Sequence, residues 1–111
     1  MRHVGHGEPL SEPVFLILTS LAEQPRHGYA LIRDIEDLSN GRVKMSTGTL
    51  FGALRRMLEN RWIERHATDD TSRDKQTYRL TSLGRECLAA DLERLKPLTR
   101  AAAARLRTGD A

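Results

Sequence analysis

Apolar residues recur at helical spacing in three stretches of the first 60 residues, each bounded by helix signals. The first stretch begins after Ser11, a residue suited to an N-cap, and ends before Pro25. The second covers about residues 29 to 38, and the third follows Ser46, a second N-cap candidate. This pattern predicts three short helices before residue 60.

The pattern then changes twice. Two strand-like runs, Trp62 to Ala67 and Gln76 to Leu80, flank a polar loop and predict a β-hairpin. A last helix opens at Ser82, and its apolar residues alternate at spacings of four and three, which favours packing against another helix. Pro97 should kink this helix or end its regular part, because proline removes a backbone donor and crowds the preceding turn.

These elements predict a mainly α fold with a small β-hairpin, arranged as a winged helix-turn-helix domain plus a long C-terminal dimerisation helix. A chain of 111 residues has room for one core. We therefore expect a flexible N-terminal arm over residues 1–11, the winged helix over 12–81 and the dimerisation helix over 82–107.

Composition excludes several classes of protein. No stretch approaches the ~20 apolar residues of a membrane span, so we expect a cytoplasmic protein with no membrane partner. The one cysteine, Cys87, excludes an internal disulfide framework, and a core position is favoured over redox sensing. No catalytic arrangement of side chains is recognisable, and His3 with His6 in a terminal arm is a poor metal site. We predict no enzymatic activity, no metal and no cofactor.

Charge is unevenly distributed along the chain, whose formal net charge is +3. Residues 12–37 carry two basic and five acidic side chains, a balance of −3. Residues 42–65 carry six basic and two acidic side chains, a balance of +4. The basic stretch contains the predicted third helix, which is the helix that enters the major groove in winged-helix proteins. The sequence therefore predicts that double-stranded DNA is the partner.

The third helix has the residue types that this role needs. Small residues give it a slim surface for a groove about 12 Å wide, next to two arginines, and hydroxyls at its start can bind phosphate. Two adjacent arginines alone would equally fit an ordinary solvated surface. The predicted DNA-binding residues, including one tyrosine and two cations at the wing tip, are Tyr29, Ser46, Thr47, Gly48, Thr49, Gly52, Arg55, Arg56, Arg73 and Lys75.

Three strings carry a family resemblance: PRHGYALIRDIE (25–36), STGTLFGALRRMLENRWIE (46–64) and YRLTSLGRECL (78–88). Together they closely resemble the PadR family of transcriptional regulators, over roughly residues 12 to 95. The resemblance implies a homodimeric repressor that binds a pseudo-palindromic operator and is released by a small-molecule effector. With one helix after the wing, the chain is similar to the small subgroup of the family.

The resemblance also indicates residue roles. His27, Gly28 and Tyr29 match the signature of the second helix, and residues 46–50 match the start of the recognition helix. Phe51 stands where the family usually has tyrosine, so a phosphate contact from that hydroxyl cannot be made, and affinity should fall unless a neighbouring arginine compensates. The small subgroup implies an aromatic-lined ligand pore between the subunits, but the last helix of this chain has no aromatic residue.

Several interpretations remain open from the sequence. The predicted dimer interface uses Phe15, Leu16, Leu88, Leu92, Leu95 and Ala102. The competing interpretation is an intramolecular clamp, in which the first helix covers the leucines of the last one. Tyr29 could contact a phosphate or pack on the core, whereas Trp62 is expected to be a packing residue. The alternative functions are a winged-helix module for protein association and a regulator of another winged-helix family.

Overall fold

The computed structural model describes residues 8–66 and 76–109. Four helices and three short strands make up this part of the chain, which confirms the predicted mainly α fold. The elements in order are α1 (Glu12–Glu23), β1 (Arg26–His27), α2 (Gly28–Leu38), α3 (Thr47–Glu59), β2 (Ile63–His66), β3 (Thr77–Leu80) and α4 (Ser82–Gly109).

Helices α1 and α3 begin after the serines predicted as their N-caps, and α2 ends at the predicted turn. Ser11 caps α1, because its hydroxyl accepts a hydrogen bond from the Val14 amide at 3.4 Å. After α2 the chain turns through Asn40 and Gly41, whose φ angles are +56° and +82°, and the Gly41 amide donates to the Glu36 carbonyl at 2.7 Å. Helices α2 and α3, with the turn between them, form the helix-turn-helix.

The sheet has the order β1-β3-β2 and is antiparallel throughout. The β2–β3 hairpin is the predicted wing, but β1 was not predicted, because two residues are too few to show strand alternation. Arg26 pairs with Tyr78 and His27 with Thr77, and the His27 Nδ1 lies 3.2 Å from the Thr77 hydroxyl. This short strand joins the wing to the start of α2.

One apolar core lies beneath the three short helices, the wing and the first half of α4. Trp62 and Cys87 are both buried, as the sequence predicts for packing residues. Residue 84 has to be glycine for α4 to reach this core, because a Cβ there would collide with the Trp62 carbonyl and lie 2.8 Å from Leu80 Cδ1. The core consists of Ile17, Leu18, Leu21, Leu31, Ile35, Met45, Leu50, Ala53, Leu54, Met57, Trp62, Ile63, Tyr78 and Cys87.

Helix α4 is continuous for 28 residues, so the prediction that its regular part could end at Pro97 is wrong. Proline removes one backbone donor, and the hydroxyl of Thr99 donates to the carbonyls of Leu95 and Lys96 at 3.1 and 2.9 Å in the same turn. Only the first half of α4 is buried against the domain, and Leu106 near its end is 70% exposed. Among the described helices, none is long and apolar enough to cross a membrane.

Candidate nucleic-acid interface

The start of α3 is exposed and locally rigid. The Ser46 hydroxyl accepts from the Thr49 amide at 3.1 Å and donates to the Thr49 hydroxyl at 3.0 Å. A hydroxyl that accepts a hydrogen bond keeps its own proton to donate, so the exposed Thr49 hydroxyl can still donate to an external acceptor. Ser46 is largely committed to the cap, whereas Thr47 and Gly48 are exposed beside it. The geometry therefore makes Thr49 the better-placed hydroxyl for an external acceptor.

The outer surface of α3 is slim because residues 48 and 52 are glycines, and packing within the fold does not require glycine at either position. A Cβ added at Gly48 would meet no atom within 4 Å, and one at Gly52 would meet only Arg56 Nη1, at 3.9 Å. Gly28 on α2 is different, because a Cβ there would lie 2.6 Å from Phe51 Cζ. A side chain at residue 28 would thus have to displace the Phe51 ring, whereas one at residue 48 or 52 would displace nothing. The latter two leave room for a partner to approach the α3 backbone.

Arg55 and Arg56 lie on two different flanks of α3, since neighbouring residues on a helix point about 100° apart. Arg55 follows Phe51 by one turn on the flank that faces the wing. Arg56 follows Gly52 by one turn on the other flank. Both guanidinium groups are exposed, and neither forms an ion pair within residues 8–66 and 76–109. Two unpaired cations therefore straddle the slim surface.

Tyr29 extends the same surface from the start of α2. Its side chain is 57% exposed and lies edge-on to Phe51, with ring centroids 6.5 Å apart and an interplanar angle of 74°. More than half of the Tyr29 side chain is therefore exposed beside α3, with its ring resting on Phe51. Its contact with a phosphate stays a prediction.

Arg65 on β2 is a site residue that sequence reasoning missed. It pairs with Tyr78 on β3, and paired residues share one face of a sheet, so Arg65 lies on the face that packs over α3. A cleft of about 190 Å³ separates the wing from α3 there. Its lining is Phe51, Leu54, Arg55, Leu58, Arg65 and Tyr78. The hairpin register decides the face, and the sequence does not reveal that register.

Burial raises the pKa of the Tyr78 phenol on the floor of this cleft, and the charge of Arg65 opposes that rise. The phenol therefore stays neutral at physiological pH, and the charge of the cleft comes from its arginines. The wing-tip predictions, Arg73 and Lys75, lie outside the described residues, as do His3 and His6. Within the described ranges no three side chains are grouped to hold a metal ion.

The face formed by α1 and α2 has the opposite character, as the charge distribution predicts. Arg26 donates to the Glu23 carboxylate and lies 3.5 Å from Asp34, which also accepts from the Ser20 hydroxyl at 2.5 Å. A cleft of about 560 Å³ runs beside α2, where Asp34 and Asp37 balance its arginines. This face offers little net positive charge to a polyanion.

The predicted dimer residues lie where α1 meets α4. Phe15, Leu16, Leu88 and Leu95 are partly buried in the single chain, whereas Leu92 is 45% exposed and Ala102 is exposed. Contact between α1 and α4 thus covers part of the leucine stripe, as the clamp interpretation requires, but not all of it. A cleft of about 370 Å³ opens at this junction. It is lined by Leu10, Glu12, Phe15, Leu16, Asp91, Arg94 and Leu95.

Comparison with known proteins gives a match to one family and several solved structures with a similar fold. The sequence model of the transcriptional regulator PadR-like family matches residues 17–90. A PadR family transcription regulator from Clostridium difficile has a TM-score of 0.72 at 19% identity, over 86% of this chain and 99% of that one. A PadR-like transcriptional regulator from Bacillus cereus gives 0.71 at 20% identity, over 84% and 89%.

A third similar structure, RosR of H. salinarum, gives a TM-score of 0.68 at 24% identity, covering 91% of this chain and 92% of that one. The comparison with curated proteins gives no match. At these identities the structural likeness shows a shared fold, whereas the match to the sequence model spans two thirds of the chain.

Proposed function

The chain belongs to the PadR-like family of transcriptional regulators, and from this we propose that it is a repressor that binds a pseudo-palindromic operator as a homodimer. In this proposal α3 enters the major groove, the wing contacts the adjacent backbone, and a small-molecule effector releases the complex. The observation that carries it is the outer surface of α3, where two glycines that packing does not require lie between two arginines that form no ion pair with any residue the structure describes.

The distribution of ion pairs among the arginines supports the choice of the α3 surface as the DNA-binding surface. Arg42 is bound to the Glu12 carboxylate, and Arg79 donates to Glu64 at 2.6 Å, so these cations are already neutralised. Among the described residues, Arg55 and Arg56 have no such partner to give up when they meet a phosphate or a guanine edge. A module for protein association would instead favour apolar side chains on this surface.

In the proposed complex, the hydroxyl of Tyr29 replaces the one that Phe51 lacks. The two rings are in contact, and Tyr29 is 57% exposed beside α3. In the proposed complex Tyr29 donates to a backbone phosphate, while Phe51 holds the ring in place and fills the space above Gly28.

The exposed part of α4 supports the homodimer. Leu92, Leu98 and Leu106 are 45%, 55% and 70% exposed in the single chain, which is an unfavourable surface for one helix to leave in water. We propose that a second copy covers this surface. The symmetry of such a dimer would place two α3 helices about one DNA turn apart, roughly 34–36 Å, which is the reason for expecting an inverted repeat.

The proposed effector site is the cleft between α1 and α4. The Asp91 carboxylate, nearly fully buried there, accepts from Arg94 Nε at 2.8 Å, and Phe15 supplies an aromatic ring. A ligand that wedges α1 and α4 apart would change the proposed dimer helix and hence the separation of the two α3 helices. Release then follows if the ligand binds the shifted state more tightly.

The test is a titration of the full chain with fluorescent duplex DNA between about 50 and 200 mM salt. If roughly six phosphates are neutralised, the log–log slope of affinity against salt should be about −5. Thr49→Ala and Arg55→Ala should each weaken operator binding by about 1–3 kcal/mol with little change in melting temperature.

The matched control is Arg107→Ala, which removes an exposed arginine from the last turn of α4. That variant should bind as wild type does. A slope near zero for the wild type would contradict DNA binding and favour the association module. Equal affinities for wild type and both α3 variants would show that the wrong face of α3 has been assigned to the groove.

A further inference from the structure

We propose that the cleft between α3 and the wing is a binding site for one DNA phosphate, held jointly by Arg55 and Arg65. This proposal rests on the proposed function and adds a residue and a location to it. Both arginines line the cleft, which has a volume of about 190 Å³, and they come from different elements, α3 and β2. A shared phosphate would therefore tie the recognition helix to the wing.

The hairpin register brings Arg65 to this position. Residues alternate between the two faces of a strand, so Ile63 and Arg65 share one face of β2. Ile63 is buried in the core, and Arg65 is opposite Tyr78, which is also buried. Arg65 therefore lies on the core-facing side of the wing, but at the edge of the core, where the Arg65 side chain is exposed.

The other face of the hairpin shows why Arg65 differs from its neighbours. Glu64 and Arg79 are opposite each other across β2 and β3, and the Arg79 Nε donates to Glu64 at 2.6 Å. The one carboxylate of β2 is therefore taken by another arginine on the far side of the sheet. Arg65 forms no ion pair within the described part of the chain, so its charge is available to a ligand.

The shape and lining of the cleft indicate the class of ligand. Small-molecule pockets usually measure roughly 300–1,000 Å³, so this cleft is too small for a whole effector or a base with its sugar. Its floor is formed by aromatic and aliphatic side chains, which strengthens charge-assisted hydrogen bonds at its mouth. Arg55 and Arg65 both line this small space, and a guanidinium group matches the paired oxygens of a phosphodiester.

The experiment compares Arg65→Gln with Arg79→Gln in the full chain, using the same duplex DNA and the same salt series as above. Both variants lose one positive charge from the same hairpin, but only Arg65 lines the cleft. We expect Arg65→Gln to weaken binding about tenfold or more, the equivalent of one charged hydrogen-bond contact. Its salt slope should also flatten by about one for each protomer bound.

Arg79→Gln should leave the slope and the affinity close to those of wild type. Because Arg65 is exposed, its replacement should not change the melting temperature, and an unchanged melting curve rules out misfolding as the cause. Arg65→Lys keeps the charge without the planar fork and should recover only part of the affinity.

A double-mutant cycle tests whether one phosphate is shared. If Arg55 and Arg65 hold the same group, the double variant should lose less affinity than the product of the two single losses. Losses that multiply would overturn the shared site. Wild-type binding with equal values for Arg65→Gln and Arg79→Gln would overturn the cleft and leave the proposed function standing. A wild-type chain that binds no duplex at low salt contradicts the function and the cleft together.

Discussion

Gly52→Ala should stabilise the protein and at the same time weaken its binding to DNA. Residue 52 lies inside α3, and an added Cβ would meet only Arg56 Nη1, at the ordinary contact distance of 3.9 Å. The substitution is therefore free of strain in the isolated chain. In a helix interior alanine is favoured over glycine by about 0.5–1 kcal/mol, which is the expected gain in the free energy of unfolding. For a domain of this size that gain corresponds to roughly 2–8 °C in melting temperature.

The cost appears only in the complex. If the α3 backbone approaches base edges at residue 52, an extra methyl group must push the helix outward or distort the groove. Overpacking of this kind usually costs about 1–3 kcal/mol, which is roughly a 5- to 150-fold loss of affinity. Urea or thermal denaturation measures the first effect, and anisotropy with duplex DNA measures the second.

Gly28→Ala is the comparison variant, because a Cβ at residue 28 would lie 2.6 Å from the Phe51 ring. It should lower stability, in contrast to Gly52→Ala. If Gly52→Ala stabilises the fold but binds DNA as wild type does, then residue 52 does not approach DNA and the proposed groove face is wrong. If Gly52→Ala destabilises the fold, the free space assigned to residue 52 is wrong.

Three further predictions address α4. Gly84→Ala should lower the free energy of unfolding by about 1–3 kcal/mol in urea titrations, because its Cβ collides with the Trp62 carbonyl; unchanged stability would contradict this close approach. Burial raises the pKa of Cys87, so the folded thiol keeps its proton above the unfolded value of about 8.5, and stability should fall as pH rises past that value. Its reaction with a thiol reagent at pH 8 should be much slower than in denaturant, and equal rates would refute the burial. Leu92→Asp should convert a dimer to a 12.5 kDa monomer in sedimentation velocity, whereas a wild type already monomeric at low micromolar concentration would refute the dimer.

The helices could be predicted from the sequence because their signals are local. The hydroxyls of Ser11 and Ser46 cap α1 and α3 by accepting from backbone amides three residues further on, and Pro25 follows the end of α1. Pro97 is also a local signal, but it does not end α4, which continues on both sides of it. A single missing donor weakens one turn without ending the helix.

Features set by pairing between distant segments could not be predicted in the same way. Strand β1 has two residues and exists because β3 pairs with it across about 50 positions of sequence. The face on which Arg65 lies depends on the register of the hairpin, and a shift of one residue would have placed it on the other side. The candidate residues of α3 could be predicted because helical spacing fixes the direction of each side chain. Arg65 could not be predicted, because its direction depends on the register of the hairpin.

The contact between Phe51 and Gly28 also joins two segments that the sequence treats separately. The family signature of α2 contains Gly28, and the departure from the family pattern is Phe51 on α3, yet the ring occupies the space that the missing side chain leaves. Position along the chain gives no reason to connect the two residues. Only the packing shows that they meet.

Whether α3 and the wing read DNA can be decided by selecting duplexes from a random pool with the purified full chain and sequencing those retained. We expect enrichment of an inverted repeat whose half-sites are centred about 10–10.5 base pairs, or a multiple of that distance, apart. Thr49→Ala should relax the preference at a symmetric pair of positions within that repeat. Retained DNA with the same sequence composition as the starting pool would contradict specific recognition by this surface.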